Sequence, residues 1–132
     1  MALLVTGVHH VALWVHDLGS LRSFYVERLG GRAGPEYRNP VTGLRSCFIS
    51  FGAGARVELM SRPDVGPSAS NGPARGYAHV ALSTGSRPAV DALVGALEAA
   101  GVTIQSRPRV TGDGYYEAVV LDPEGNPVEL TE

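Results

Sequence analysis

The run HVALWV at residues 10–15 returns as HVALST at 79–84, and RVELMS at 56–61 returns as PVELTE at 127–132. His10 and Glu58 stand 48 positions apart, and His79 and Glu129 stand 50 apart, in the same order. Matches at one spacing mark a supersecondary unit used twice, because one copy alone leaves a sheet edge and an apolar face uncovered. Each copy has the same plan. Residues 8–16 alternate in polarity and carry β-branched and aromatic side chains, the mark of a strand. Asp17 can cap a helix with Leu21, Phe24, Tyr25 and Leu29 at helical spacing, and Gly30 or Gly31 can end it in the left-handed conformation. Three strands are expected next, near 32–38, 44–52 and 55–62.

The second copy runs from a strand at 77–84 to a helix capped by Ser86, with Pro88 in its first turn. Val90, Leu93, Val94, Leu97 and Ala100 form its apolar face, Gly101 stops it, and strands are expected near 102–107, 114–122 and 126–131. The segment 63–76 holds three Pro, three Gly and three Ser or Asn, and reads as a linker. The expectation is therefore a single α+β domain over 1–132, with βαβββ modules at 1–62 and 77–132 and an eight-stranded mixed sheet.

With 132 residues, 44% hydrophobic and 18% charged, the chain has the composition of an ordinary globular domain. The net charge of −2 and the absence of a basic run leave no footprint for nucleic acid or an anionic membrane. No apolar stretch is long enough to span a bilayer, and MALLVTGVHH lacks the basic and apolar regions of a signal peptide. The lone Cys47 forms no intrachain disulfide and suggests a reducing compartment, so a cytoplasmic location is expected. All 11 basic residues are arginine, which removes Schiff-base and lysine-base chemistry.

Strand alternation gathers the chemistry. In 8–16, Val11, Leu13 and Val15 face the helix while His10, Ala12, Trp14 and His16 face away. In 77–84, Val80 and Leu82 are helix-facing and His79 lies opposite. Glu58 stands between the core residues Val57 and Leu59, and Glu129 between Val128 and Leu130. A half-buried carboxylate between aliphatic neighbours is costly without a positive partner. Any one of the four, taken singly, reads as an ordinary strand residue facing water. Two histidines and two glutamates in repeat-equivalent positions read as the ligands of one divalent metal, Zn²⁺ or Ni²⁺ first, with Co²⁺, Mn²⁺ or Fe²⁺ also suited. His9 is helix-facing by the same alternation and reads as structural, His16 as a capping or supporting group, and Cys47 as a buried strand residue. Trp14, Met60, Arg62, Tyr115 and Tyr116 are expected to line the cavity of a small anionic or aromatic substrate.

These stretches, with HHVALWVHDLGSLRSFYVERLGG, FGAGARVELM, GYAHVALS and above all VVLDPEGNPVELTE, resemble the vicinal-oxygen-chelate superfamily of glyoxalase I, bleomycin-resistance proteins and extradiol dioxygenases. The resemblance implies a U-shaped sheet around a metal, with helices on its outer face. Its ligand pattern is similar to that of glyoxalase I, matched by His10, Glu58, His79 and Glu129. It implies isomerisation of a thiol–2-oxoaldehyde adduct by proton transfer through an enediolate, with Glu58 and Glu129 as ligand and base and Glu129 the more mobile. Trp14, Arg62 and Thr111 stand where glyoxalase I has its glutathione-recognising residues, which implies another thiol or a related substrate. The same resemblance embraces fosfomycin thiol transferases, Fe²⁺ ring-cleaving dioxygenases, acyl-CoA epimerases and non-catalytic binding proteins. It also implies a homodimer.

Overall fold

A computed structural model of the chain describes residues 8–67 and 77–132. Residues 68–76, most of the expected linker, lie outside the described residues, as do 1–7. The chain divides into two compact units, Met1–Gly66 and Pro67–Glu132. The α+β class and the duplicated module are as expected. Among the described residues there are nine strands, in two sheets of five and four.

The first unit opens with β1 (His10–Trp14) and a short helix α1 (Leu18–Ser23), which continues as a π turn over Phe24–Arg28. The carboxylate of Asp17 accepts the Ser20 N–H at 3.0 Å and caps α1. Leu18, Leu21, Phe24 and Tyr25 are buried, Tyr25 completely. Gly30, at φ +75°, ends the helical stretch. The Gly30 N–H then reaches the Val26 carbonyl and the Gly31 N–H the Tyr25 carbonyl.

The expected strand at 32–38 is broken into β2 (Arg32–Ala33) and β3 (Tyr37–Arg38). The break falls at Gly34-Pro35: Gly34 still bonds the Phe48 carbonyl at 2.8 Å, but Pro35 has no N–H to continue the ladder. Strands β4 (Arg45–Ser50) and β5 (Arg56–Ser61) complete a sheet ordered β1-β5-β4-β2, with β3 also on β4. The parallel β1–β5 pairing sets Ala12 against Glu58 and Trp14 against Met60.

The second unit repeats the plan with β6 (Val80–Ser83), α2 (Arg87–Ala99), β7 (Ile104–Val110), β8 (Tyr116–Leu121) and β9 (Pro127–Thr131), ordered β6-β9-β8-β7. Ser86 Oγ accepts the Ala89 N–H and Gly101 takes φ +84°, so α2 starts and stops where its sequence says. Val90, Val94 and Leu97 are buried; Ala100, expected on that face, is the exposed C-cap. The parallel β6–β9 pairing sets Ala81 against Glu129, the counterpart of Ala12 against Glu58. Each unit has its own core, from Leu21, Ile49, Val57 and Leu59 in one and Val90, Leu97, Val120, Val128 and Leu130 in the other. Burying side chains of this kind contributes about 1.5–3 kcal/mol apiece.

Candidate metal centre

In the first unit the burial of β5 alternates, with Val57 and Leu59 inside and Arg56, Glu58 and Met60 on the opposite face. His10 begins β1 on that same face, two residues before the alanine paired with Glu58. Ala12 is small enough to leave the imidazole a path to the carboxylate. His10 Nε2 lies 3.5 Å from Glu58 Oε1. The second unit reproduces the arrangement: His79 precedes Ala81 by two, and its Nε2 lies 3.1 Å from Glu129 Oε2. Both glutamates are mostly covered, 16% and 14% exposed, while the imidazoles are 38% and 41% exposed.

Two donors bound to one cation at about 2.1 Å stand about 3.0–3.4 Å apart in octahedral or tetrahedral geometry. Both His–Glu separations are close to that range, so each pair fits as half of a nitrogen–oxygen ligand set. Among the described residues, no three His, Cys, Asp or Glu side chains are gathered into one group. Burial raises the Glu129 carboxyl above the ordinary carboxylate range. A hydrogen bond with Glu117 raises it further, and the His79 charge opposes both.

Glu129 owes its placement to the turn before it. Asp122, 4% exposed, accepts the backbone N–H groups of Glu124 and Asn126 at 2.9 Å and the Asn126 side-chain amide as well. Gly125, at φ +82°, closes the turn, and Pro127 starts β9. The sequence DPEGN therefore sets the register of β9.

Of the expected cavity residues, three come together. Trp14 and Met60 are paired across β1 and β5, and the Arg62 guanidinium stands 5.1 Å from the Trp14 ring centre while bonding Asp64. Tyr115 is exposed at the foot of β8. Tyr116 is a correction. It shares the parity of buried Ala118 and Val120, so it turns to the helix; its hydroxyl donates to Asp91 at 2.6 Å and Arg87 covers its ring. His9 is a second correction. It precedes β1, where alternation no longer applies, and is exposed with its Nδ1 2.8 Å from His10 Nδ1.

Three residues on these faces escaped the sequence reading. Phe48 is paired with Glu58 and meets the His10 ring edge to face at 5.3 Å. Arg56 lies over Phe48, and Glu117 lies beside Glu129. Extending the alternation argument to β4, β5 and β8 would have found all three. An open cavity of ≈ 520 Å³ between α1 and β2 is lined by Arg22, Val26, Glu27 and Arg32 and contains none of the His–Glu donors.

Residues 7–130 match the family model of the Glyoxalase/Bleomycin resistance protein/Dioxygenase superfamily, and the chain belongs to that superfamily. No curated protein matches it by sequence. A glyoxalase family protein from Enterococcus faecalis is 26% identical, with a TM-score of 0.79 over 96% of this chain and 98% of that one. The trypanothione-dependent glyoxalase I of Leishmania major is 24% identical, with a TM-score of 0.78 over 97% and 87%. Glyoxalase I of Zea mays is 22% identical, with a TM-score of 0.77; the match covers 95% of this chain and 44% of that one. The likeness to the last two is one of fold.

Proposed function

We propose that the protein is a metal-dependent enzyme of glyoxalase I type, isomerising a thiol–2-oxoaldehyde adduct or a related substrate by proton transfer beside a carbonyl. The observation that supports it most is the pair of His–Glu arrangements at equivalent register in the two units. His10, Glu58, His79 and Glu129 would together hold one divalent cation, with Zn²⁺ or Ni²⁺ the best match to two imidazoles and two carboxylates. Such a cation supplies Lewis acidity toward neighbouring substrate oxygens. Glu129 is the residue to take and return the proton. Burial and Glu117 raise its carboxyl above that of an exposed glutamate, the direction that suits a base. Covalent catalysis has no support here: lysine is absent from the chain, and Cys47 is buried with its thiol pushed up by desolvation.

Turnover of the Zn²⁺- or Ni²⁺-loaded protein with methylglyoxal–thiol adducts in D₂O should leave deuterium on the product carbon. Glu129→Gln should cost a hundredfold or more in rate, on the order of a lost general base. Oxygen consumption, or full activity after metal removal, would contradict the proposal. The same reading includes a small-molecule substrate and a homodimer. Strand β1, which carries His10, and strand β6, which His79 immediately precedes, are each an end strand of their own sheet, and sheet edges are where chains pair. Light scattering at micromolar concentration should give twice the chain mass, and a monomer there would remove the dimer.

A further inference from the structure

The described arginines divide sharply by partner. Arg38 and Arg45 hold Glu36, Arg62 holds Asp64, Arg87 holds Glu132 and Arg107 holds Glu98. Arg22, Arg28, Arg32 and Arg109 are exposed to water. Arg56 differs from both groups. It is half-buried, on the Glu58 face of β5, and among the described residues no carboxylate lies within ion-pair distance of it.

Its guanidinium is nevertheless fixed. The central carbon lies 4.1 Å from the centre of the Phe48 ring, and Phe48 in turn contacts His10 and is paired with Glu58. Among the described residues its polar contact is a long one, 3.5 Å to His9 Nε2, and an imidazole offers no negative charge. Stacking on an aromatic ring holds a guanidinium by its face and leaves the N–H groups along its edge free to bind in the plane. A half-buried, oriented, uncompensated cation is costly to the fold unless a ligand neutralises it. In the second unit the equivalent position, opposite the residue before Val80, is Pro127, so Arg56 is not part of the duplicated ligand plan.

We propose that Arg56 is the specificity residue of the site, binding a carboxylate on the substrate while Phe48 supports the substrate's apolar body. This rests on the reading of the His10–Glu58 face as part of a substrate site, and names the class of substrate: a small organic acid with an apolar or aromatic portion. A planar carboxylate suits the guanidinium edge as a two-point fork, which an ammonium does not reproduce.

The test uses benzoate and its neutral isostere benzamide, titrated into the full chain and followed by amide chemical shifts, both metal-free and Zn²⁺-loaded. Benzoate should bind the metal-free protein about tenfold more tightly than benzamide, the size of one charge-assisted pair. The shifts should centre on β4 and β5. Arg56→Gln should abolish the preference, Arg56→Lys should keep part of it, and Arg32→Gln should leave it intact. Equal binding of the two probes, or an undiminished preference in Arg56→Gln, overturns the proposal. A preference seen only with Zn²⁺ and surviving Arg56→Gln also overturns it, because the carboxylate then belongs to the metal. Should Arg56→Gln fail to fold by circular dichroism, Arg56→Lys decides: a full preference in it contradicts the fork. A chain that takes up no metal yet keeps the Arg56-dependent preference would refute the metal-dependent function and support this inference.

Discussion

Glu129 shows what a covered carboxylate costs its fold. Burial and Glu117 raise its carboxyl above the ordinary range, so ionising it works against the folded state. The sign follows from that direction. Below the unfolded-state pKa the carboxyl is protonated in both states and the penalty is absent. As pH rises through the raised folded-state value the penalty develops fully. Glu129→Gln in the metal-free protein should therefore melt above the native chain at pH 8, with the difference shrinking toward pH 4. An equal or lower melting temperature at pH 8 would contradict the assignment. Cys47 is a different case, a thiol sealed in the core. It is 1% exposed and its pKa is raised by burial, so thiol reagents should modify it only as fast as the protein unfolds. Rapid labelling of the native chain at pH 7 would count against its burial.

At the scale of elements, two glycines separate packing from propensity. A Cβ on Gly31 would stand 2.5 Å from Ile49 Cγ2 and 2.9 Å from the Tyr25 carbonyl oxygen, and the backbone atom has little room to retreat. Gly31→Ala should destabilise by ~1–3 kcal/mol, as overpacked sites do. A Cβ on Gly95 meets nothing, and Gly95 sits inside α2. Gly95→Ala should stabilise by ~0.5–1 kcal/mol in urea melts. The elements themselves were largely legible in the chain, because alternation and capping are local. Asp17, Ser86, Gly30 and Gly101 mark the helix ends found. What escaped depended on context. The break at Gly34-Pro35 needed the partner strand, and the inward turn of Tyr116 needed Asp91 and Arg87 on α2 to make that face the wetter one for a hydroxyl. His9 was misplaced because alternation was carried one residue past the start of β1.

For the whole molecule, the duplication explains why the His–Glu pairs were readable and Arg56 was not. His10 with Glu58 and His79 with Glu129 occur twice at equivalent register, and repetition is what distinguishes them from ordinary strand residues. Arg56 and Phe48 occur once, so no internal comparison singles them out; their stacking on the His10 face does. The chain's membership in the superfamily sets the fold, and the donor residues of this chain set the function proposed for it. The central claim is that both pairs serve one cation, and metal content measures it directly. Protein purified without chelators and dialysed should carry about one equivalent of divalent metal per chain. His10→Ala/Glu58→Ala and His79→Ala/Glu129→Ala should each abolish it. A folded native chain that holds no metal after exposure to Zn²⁺ and Ni²⁺, or a full equivalent retained by either double variant, would contradict the account.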